Sequence, residues 1–250
     1  MTISLDITDT VAVVTIDDPA TRNALTGESA RALVASLEDV AHRDDVGALV
    51  IRGGGGHFCS GGARSLREAA RERPYDPEVA ASLSAIYDSF VQLAAMPIPT
   101  IAAIRGAAVG AGVNLALAAD VRIVARDARL LSGFLRIGVH PGGGHFSLLD
   151  RVAGPQTTVA MTLLSEEITG QRLVELGLAW EALDDAEVEQ RALELASRAA
   201  DPELVREATA TFRAQAQSRQ LPAAAAVRAE EAAQMWSFAR ATRRGPRHPR

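Results

Sequence analysis

The stretch "AAVGAGVNLALAAD", residues 107–120, decides how this chain is read. A glycine turn runs straight into an apolar helical pattern, and one amide, Asn114, sits just inside it. The buried-strand pattern "TIAAIRG" (100–106) leads into the turn. A second loop repeats the design, since "GGGGHFCSGGAR" (53–64) closes the apolar strand pattern begun by "GALVIR" (47–52). Glycine lets a backbone approach a ligand with no Cβ in the way. A helix N-terminus offers unpaired N–H groups and a partial positive charge. Such loops suit an anion or a developing oxyanion. Either loop alone also reads as a plain tight turn. Gly110-x-Gly112 further matches part of a dinucleotide fingerprint, but Leu115 stands where its third glycine belongs and few βαβ units follow.

Outward from these loops the chain reads as a layered α/β fold. "SLDITDTVAVVTIDDP" alternates apolar and polar residues about a Thr-Asp-Thr turn and predicts a hairpin over roughly residues 3–16. "TRNALTG" is a polar loop. Leu33, Val34, Leu37, Val40 and Ala41 fall at helical spacing within 28–41. Strand, helix and the 47–52 strand then suggest a βαβ-type core. "ARSLREAARERPYDPEVA" (63–80), charged and interrupted by two prolines, reads as a mobile surface segment. A helix is expected over 79–95, a strand at "VRIVA" (121–125), and a Pro-Gly loop entering a helix at "IGVHPGGGHFSLLDRVAG" (137–154). The remainder is helical in pattern as far as the tail "ATRRGPRHPR" (241–250), which is expected to be disordered.

Composition narrows the function classes. The chain has 250 residues, 48% hydrophobic and 23% charged, as in an ordinary globular protein. A net charge of −5 argues against nucleic acid as the main partner. Every basic residue is Arg, so Schiff-base lysine chemistry and a P-loop Lys are excluded. No apolar run is long enough to span a bilayer and no secretory signal opens the chain. The lone cysteine, Cys59, cannot form an internal disulfide. Together these point to the cytoplasm.

Taken together, four segments are more specific than any one of them. "RNAL" (22–25), "FCSGG" (58–62), "MPIPTIAAIRGAAVGAGVNLALAADVRIVARDARL" (96–130) and "IGVHPGGG" (137–144) resemble, in order and spacing, the enoyl-CoA hydratase/isomerase (crotonase) superfamily. The resemblance implies a spiral of ββα units over about 1–190, a helical trimerisation region over 191–240, and a homotrimer or hexamer. It implies an acyl-CoA thioester as ligand, with coenzyme A entering as part of the substrate and no separate cofactor. It also implies an oxyanion hole made by the N–H groups of Gly62 and Ala111, which would hold an enolate. By the same resemblance Arg22, Asn23, Ala24 and Leu25 line the CoA groove, with Ser60 and Arg64 beside it.

Asn114 now becomes informative. Hydratases of this family carry a catalytic Glu two residues after the glycine turn, where this chain has Asn114. They carry a second Glu in a Pro-Glu pair, which aligns with Gly133-Phe134, and an Asp where this chain has Ala63. Neither an amide nor a phenyl ring accepts a proton near neutral pH. The expectation is acyl-CoA chemistry other than ordinary hydration, such as isomerisation, decarboxylation or C–C cleavage, with Phe134 in the acyl pocket. The alternative is a non-catalytic acyl-CoA binder on the same scaffold. A histidine suits the vacant role of base, and the candidates are His140, which lies beside the position of a catalytic carboxylate in some relatives but also reads as a loop histidine bonded to backbone, and His145. Asn114 could orient a water or hold the thioester. No third ligand accompanies the two histidines, so a metal is not expected. Cys59 reads as a small buried hydrophobe, His57 as a surface turn residue, and Asp120 as a cap.

Overall fold

The computed structural model describes residues 1–217. A hairpin opens the chain, β1 (Thr2–Thr8) pairing antiparallel with β2 (Val11–Asp17). Asp9 makes its turn at φ +52, a conformation that a short polar side chain tolerates. Helix α1 (Gly27–Ala41) follows, started by a reciprocal cap between Thr26 and Ser29. Its Leu33, Leu37 and Val40 are fully buried. Then come β3 (Ala48–Gly53), α2 (Arg64–Glu72), α3 (Pro77–Ala94), β4 (Thr100–Ile104), β5 (Ala107–Val109), α4 (Ala111–Ala118), β6 (Val121–Ala125) and β7 (Arg129–Leu131). After α5 (His145–Thr158) the described chain finishes with β8 (Glu167–Thr169), α6 (Gly170–Glu175), β9 (Glu181–Leu183), α7 (Val188–Ala196) and α8 (Pro202–Gln217).

Two sheets result. The larger has strand order β1-β2-β3-β4-β6-β9 and is parallel after the first pair; the smaller is β5-β7-β8. Strands β3 and β4 are buried almost throughout, as parallel strands covered on both faces must be. The chain crosses from one sheet to the other at Arg105-Gly106. Gly106 sits at φ +57, and a Cβ there would lie 2.4 Å from the Gly56 carbonyl oxygen, so only glycine fits. The crossing lays the 107–114 turn against the loop that leaves β3.

Three expectations are corrected. The charged 63–80 segment is helical in its first half. Pro74 follows α2, and Pro77 opens α3 behind an Asp76 cap that accepts from the Glu78 N–H at 2.8 Å, so the prolines punctuate two helices instead of breaking one. The region after 154 is not helical throughout. Strands β8 and β9 span three residues each, too short to show a period of two. His57 is half-buried, with its Nδ1 covered, rather than a surface residue. Asp120 serves a strand start: its carboxylate accepts from the N–H and hydroxyl of Thr100, the first residue of β4, both at 2.9 Å, and from Arg213 at 2.6 and 2.8 Å. The helical region and tail expected beyond 217 lie outside the described residues.

Candidate functional site

The two glycine loops are laced together by backbone hydrogen bonds. Phe58 N–H donates to Arg105 O at 2.9 Å, Cys59 N–H to Ala107 O at 3.1 Å, and Val109 N–H back to Cys59 O at 3.0 Å. On its other side the 53–64 loop pairs with the "RNAL" segment, Leu25 N–H donating to Gly61 O at 2.7 Å and Ala63 N–H to Leu25 O at 2.8 Å. This ladder uses up its neighbours but leaves the N–H groups of Gly62 and Ala111 without an acceptor among the described residues. They lie close together: a Cβ built on Gly61 would stand 3.5 Å from the Ala111 nitrogen and 2.6 Å from Val109 O. At Gly62 the space a Cβ would take is open. Ala111 opens α4, with Gly110 as its cap at φ +54, so its N–H carries the helix's partial positive charge. Gly112 is fixed by packing, since a Cβ there would lie 2.2 Å from Cys59 O. The glycines of the opening stretch thus bring α4 against the first loop.

One turn into α4 stands Asn114. Its amide nitrogen donates to Gly142 O at 2.9 Å, and its Oδ1 lies 2.6 Å from Nδ1 of His145. Only the NH2 group can face a carbonyl, so Oδ1 is the acceptor and His145 carries its proton on Nδ1. The His145 Nε2 lone pair then accepts from the Ser132 hydroxyl at 2.7 Å. All three side chains are about 1% exposed. Burial pushes the His145 pKa down to about 4, so the ring is neutral at physiological pH. The edge of Phe134 meets the His145 ring at 5.0 Å, and its Cζ would lie 3.8 Å from a Cβ on Gly110. Phe134 therefore bridges the relay and the glycine turn.

The structure separates the two candidate histidines. His145 joins Asn114; His140 stays outward, as a loop histidine bonded to backbone. It is exposed, its Nδ1 donates to the carbonyl of Pro141 at 2.7 Å, and its ring packs edge-on to Phe146. The adjacent proline carbonyl captures the imidazole locally. Asn114 has both ends of its amide committed, so it orients His145 instead of a water. Ser132 was not singled out from the sequence; its one signal is its place directly before the Gly133-Phe134 pair. Asn23 and Leu25 do not present side chains to a groove. Asn23 is fully buried and ties its loop to His57 O at 2.6 Å and Gly54 O at 3.0 Å, and Leu25 lies in the core. Arg22 is exposed, Ala24 is buried, and the Ser60 hydroxyl donates to Thr21 O at 2.8 Å. The Arg64 side chain is 84% exposed and pairs with Glu68. Cys59 is buried with its thiol pushed up to about 12, which makes it inert as a nucleophile. Among the described residues no group of three or more His, Cys, Asp or Glu could hold a metal, and no helix is long and apolar enough to cross a membrane.

Comparison with known proteins places the chain in a family. A family model described as enoyl-CoA hydratase/isomerase matches residues 6–245. A protein of Mycobacterium tuberculosis described as a probable enoyl-CoA hydratase is 41% identical over 214 residues, which is 85% of this chain and 81% of that protein. The 1,2-epoxyphenylacetyl-CoA isomerase of Escherichia coli is 32% identical over 187 residues, covering 74% of this chain and 71% of the isomerase. The crystal structure of an enoyl-CoA hydratase from Polaromonas superposes with a TM-score of 0.84 at 26% identity, over 94% of this chain and 91% of that one.

Proposed function

Because the chain belongs to the enoyl-CoA hydratase/isomerase family, we propose that it takes an acyl-CoA thioester, polarises its carbonyl with the N–H groups of Gly62 and Ala111, and performs a reaction other than ordinary hydration. The observation that carries this reading is the pair of N–H groups left without acceptors where the two glycine loops meet. Charge that develops on the thioester oxygen, in an enolate or in a tetrahedral adduct, would be held there. Removing one such donor typically costs about 2.7–4 kcal/mol of transition-state stabilisation. Arg22, Ser60 and Arg64, with the backbone of Ala24 and Leu25, would carry the CoA moiety. Phe134 would meet the acyl group. The name of the E. coli isomerase relative supports chemistry beyond hydration on this scaffold.

Hydration is disfavoured because Asn114 and Phe134 occupy both carboxylate positions and neither takes a proton. The same observation favours a second reading, a non-catalytic acyl-CoA binder. Calorimetry with acetyl-, crotonyl- and longer acyl-CoA thioesters tests the shared premise, with binding expected and its complete absence at millimolar thioester overturning both. Crotonyl-CoA hydration should stay near background, and turnover at about 10 s⁻¹, typical of enzymes, would refute the non-hydratase reading. A trimer or hexamer is the expected assembly, supported by the exposure of Val159, Leu163, Leu164 and Trp180. Sedimentation of a monomer at micromolar concentration would contradict it. The apolar pattern Ala226, Ala229, Ala232, Ala233 and Trp236, which suggests a further packing face, lies outside the described residues.

A further inference from the structure

We propose that Ser132, His145 and Asn114 act as nucleophile, base and orienting group in hydrolysis of the bound acyl-CoA thioester. This rests on the acyl-CoA reading above and extends it to the reaction. The three side chains form one continuous chain, Ser132 Oγ to His145 Nε2 at 2.7 Å and His145 Nδ1 to Asn114 Oδ1 at 2.6 Å. That is the nucleophile–base–orienter logic of covalent acyl transfer, with an amide in the third position as in cysteine-type triads. The direction of each bond is fixed. The Gly142 carbonyl fixes the Asn114 amide, the amide sets the tautomer of His145, and the ring's free lone pair takes the Ser132 proton.

Its position also fits. Asn114 is one turn past the Ala111 donor on α4, and the Ser132 carbonyl oxygen would lie 3.5 Å from a Cβ on Gly110, the residue before that donor. The relay thus starts from residues that adjoin the turn carrying the Ala111 N–H, the neighbourhood a tetrahedral intermediate would need. With no carboxylate at either aligned position to take an α-proton, attack at the carbonyl carbon is the chemistry the remaining groups support. The relay is buried, and Phe134, half-buried, packs edge-on to His145.

In the first step Ser132 Oγ bonds to the thioester carbon while its proton passes to His145 Nε2. The oxygen becomes an oxyanion held by Gly62 and Ala111. The C–S bond then breaks, and coenzyme A leaves as a free thiol with the proton from His145, so the acyl group rests on Ser132. Water attacks this ester, gives its proton to His145, and the proton returns to Ser132 Oγ as the carboxylic acid departs. Thioester and water become acid and thiol, with no other reactant.

The test uses the full chain and the acetyl-, crotonyl- and longer acyl-CoA thioesters of the calorimetry. Thiol release is followed with a thiol-reactive dye, and quenched samples are weighed intact and after digestion. Thiol release and an acyl mass on the peptide holding Ser132 are expected. Ser132→Ala should lower release by roughly 10²-fold or more with thioester affinity kept. Ser132→Cys retains a nucleophile and should still take up the acyl mass, which a purely structural role would not give; it decides the matter if Ser132→Ala fails to fold. Binding without thiol release or adduct in the wild type overturns the proposal and leaves the acyl-CoA reading standing. Absence of binding overturns both.

Discussion

The backbone half of the site and its side-chain half are built from different material. Gly62 and Ala111 contribute N–H groups fixed by a ladder of main-chain bonds, and their own side chains do nothing at the site. Ser132, His145 and Asn114 contribute side chains drawn from the end of β7, the start of α5 and the middle of α4, joined to one another by hydrogen bonds. The backbone half tolerates any residue that keeps the chain path. The side-chain half tolerates almost none, because each member fixes the next. On the proposed reading, one scaffold would keep its oxyanion hole while the groups facing the reacting carbon are replaced.

The sharpest way to break this contrast is to delete one backbone donor and nothing else. Ala111 is the first residue of α4, a position that accepts proline because its N–H has no helical partner. Gly110 before it lies at φ +54, ψ −111, the mirror image of extended backbone, which glycine ahead of proline can hold. Ala111→Pro should therefore fold and lose 10²–10³-fold in kcat, about 2.7–4 kcal/mol. Steady-state kinetics beside a denaturation curve would check it. Full activity would show that the hole lies elsewhere.

Next in size is the pH response of the side-chain half. The His145 pKa falls from 6.5 to about 4 on folding because burial penalises the imidazolium. Between those values the unfolded chain binds the extra proton and the native protein does not. Stability is therefore complete above about 6.5 and lost as pH falls toward 4, by up to about 3 kcal/mol. Urea denaturation of the wild type and of His145→Gln across this window isolates the effect in the difference between the curves. A flat difference would show that the ring is not held neutral by burial.

The two halves also differed in what the sequence disclosed. The backbone half was legible because its demands fall on glycine: Gly61, Gly110 and Gly112 stand where a Cβ would strike a carbonyl or the backbone must turn left-handed. Strands β3 and β4 were legible as buried apolar runs. The side-chain half was only partly so. Asn114 stood out by its place after the turn, and His145 was a candidate, but Ser132 is an ordinary serine until the fold brings it to Nε2. The choice between His140 and His145 was not legible, because nothing in a sequence reports that the next carbonyl will capture the His140 ring.

A smaller effect separates the two ends of α4. Its N-terminal end carries the proposed Ala111 donor, whereas Asp120, just past its C-terminal end, supplies attachment: it anchors the start of β4 through Thr100 and accepts two bonds from Arg213 on α8. Asp120→Ala should lower unfolding free energy by about 2 kcal/mol, the order expected for a partly exposed charged network. Acyl-CoA affinity should be unchanged. A loss of affinity as large as the loss of stability would show that the two ends are coupled.

The smallest expected effect falls on His140, and it is the control for everything assigned to His145. The two histidines flank the loop from Pro141 to Gly144, and either could have been the base on chemical grounds. Their surroundings decide between them. His140 is exposed, with Nδ1 held by the Pro141 carbonyl and its ring edge-on to Phe146. His145 is buried between an acceptor that fixes its tautomer and a hydroxyl that can give it a proton. His140→Ala should therefore change stability by no more than about 0.5 kcal/mol, as for ordinary surface positions. It should leave thioester turnover within about a factor of two, since loss of a general base would cost roughly 10²–10⁴-fold. The parallel His145→Ala variant should fall in that larger range. If instead His140→Ala abolishes turnover and His145→Ala does not, the base sits on the exposed side of the loop, and the Ser132–His145–Asn114 chain is reduced to packing.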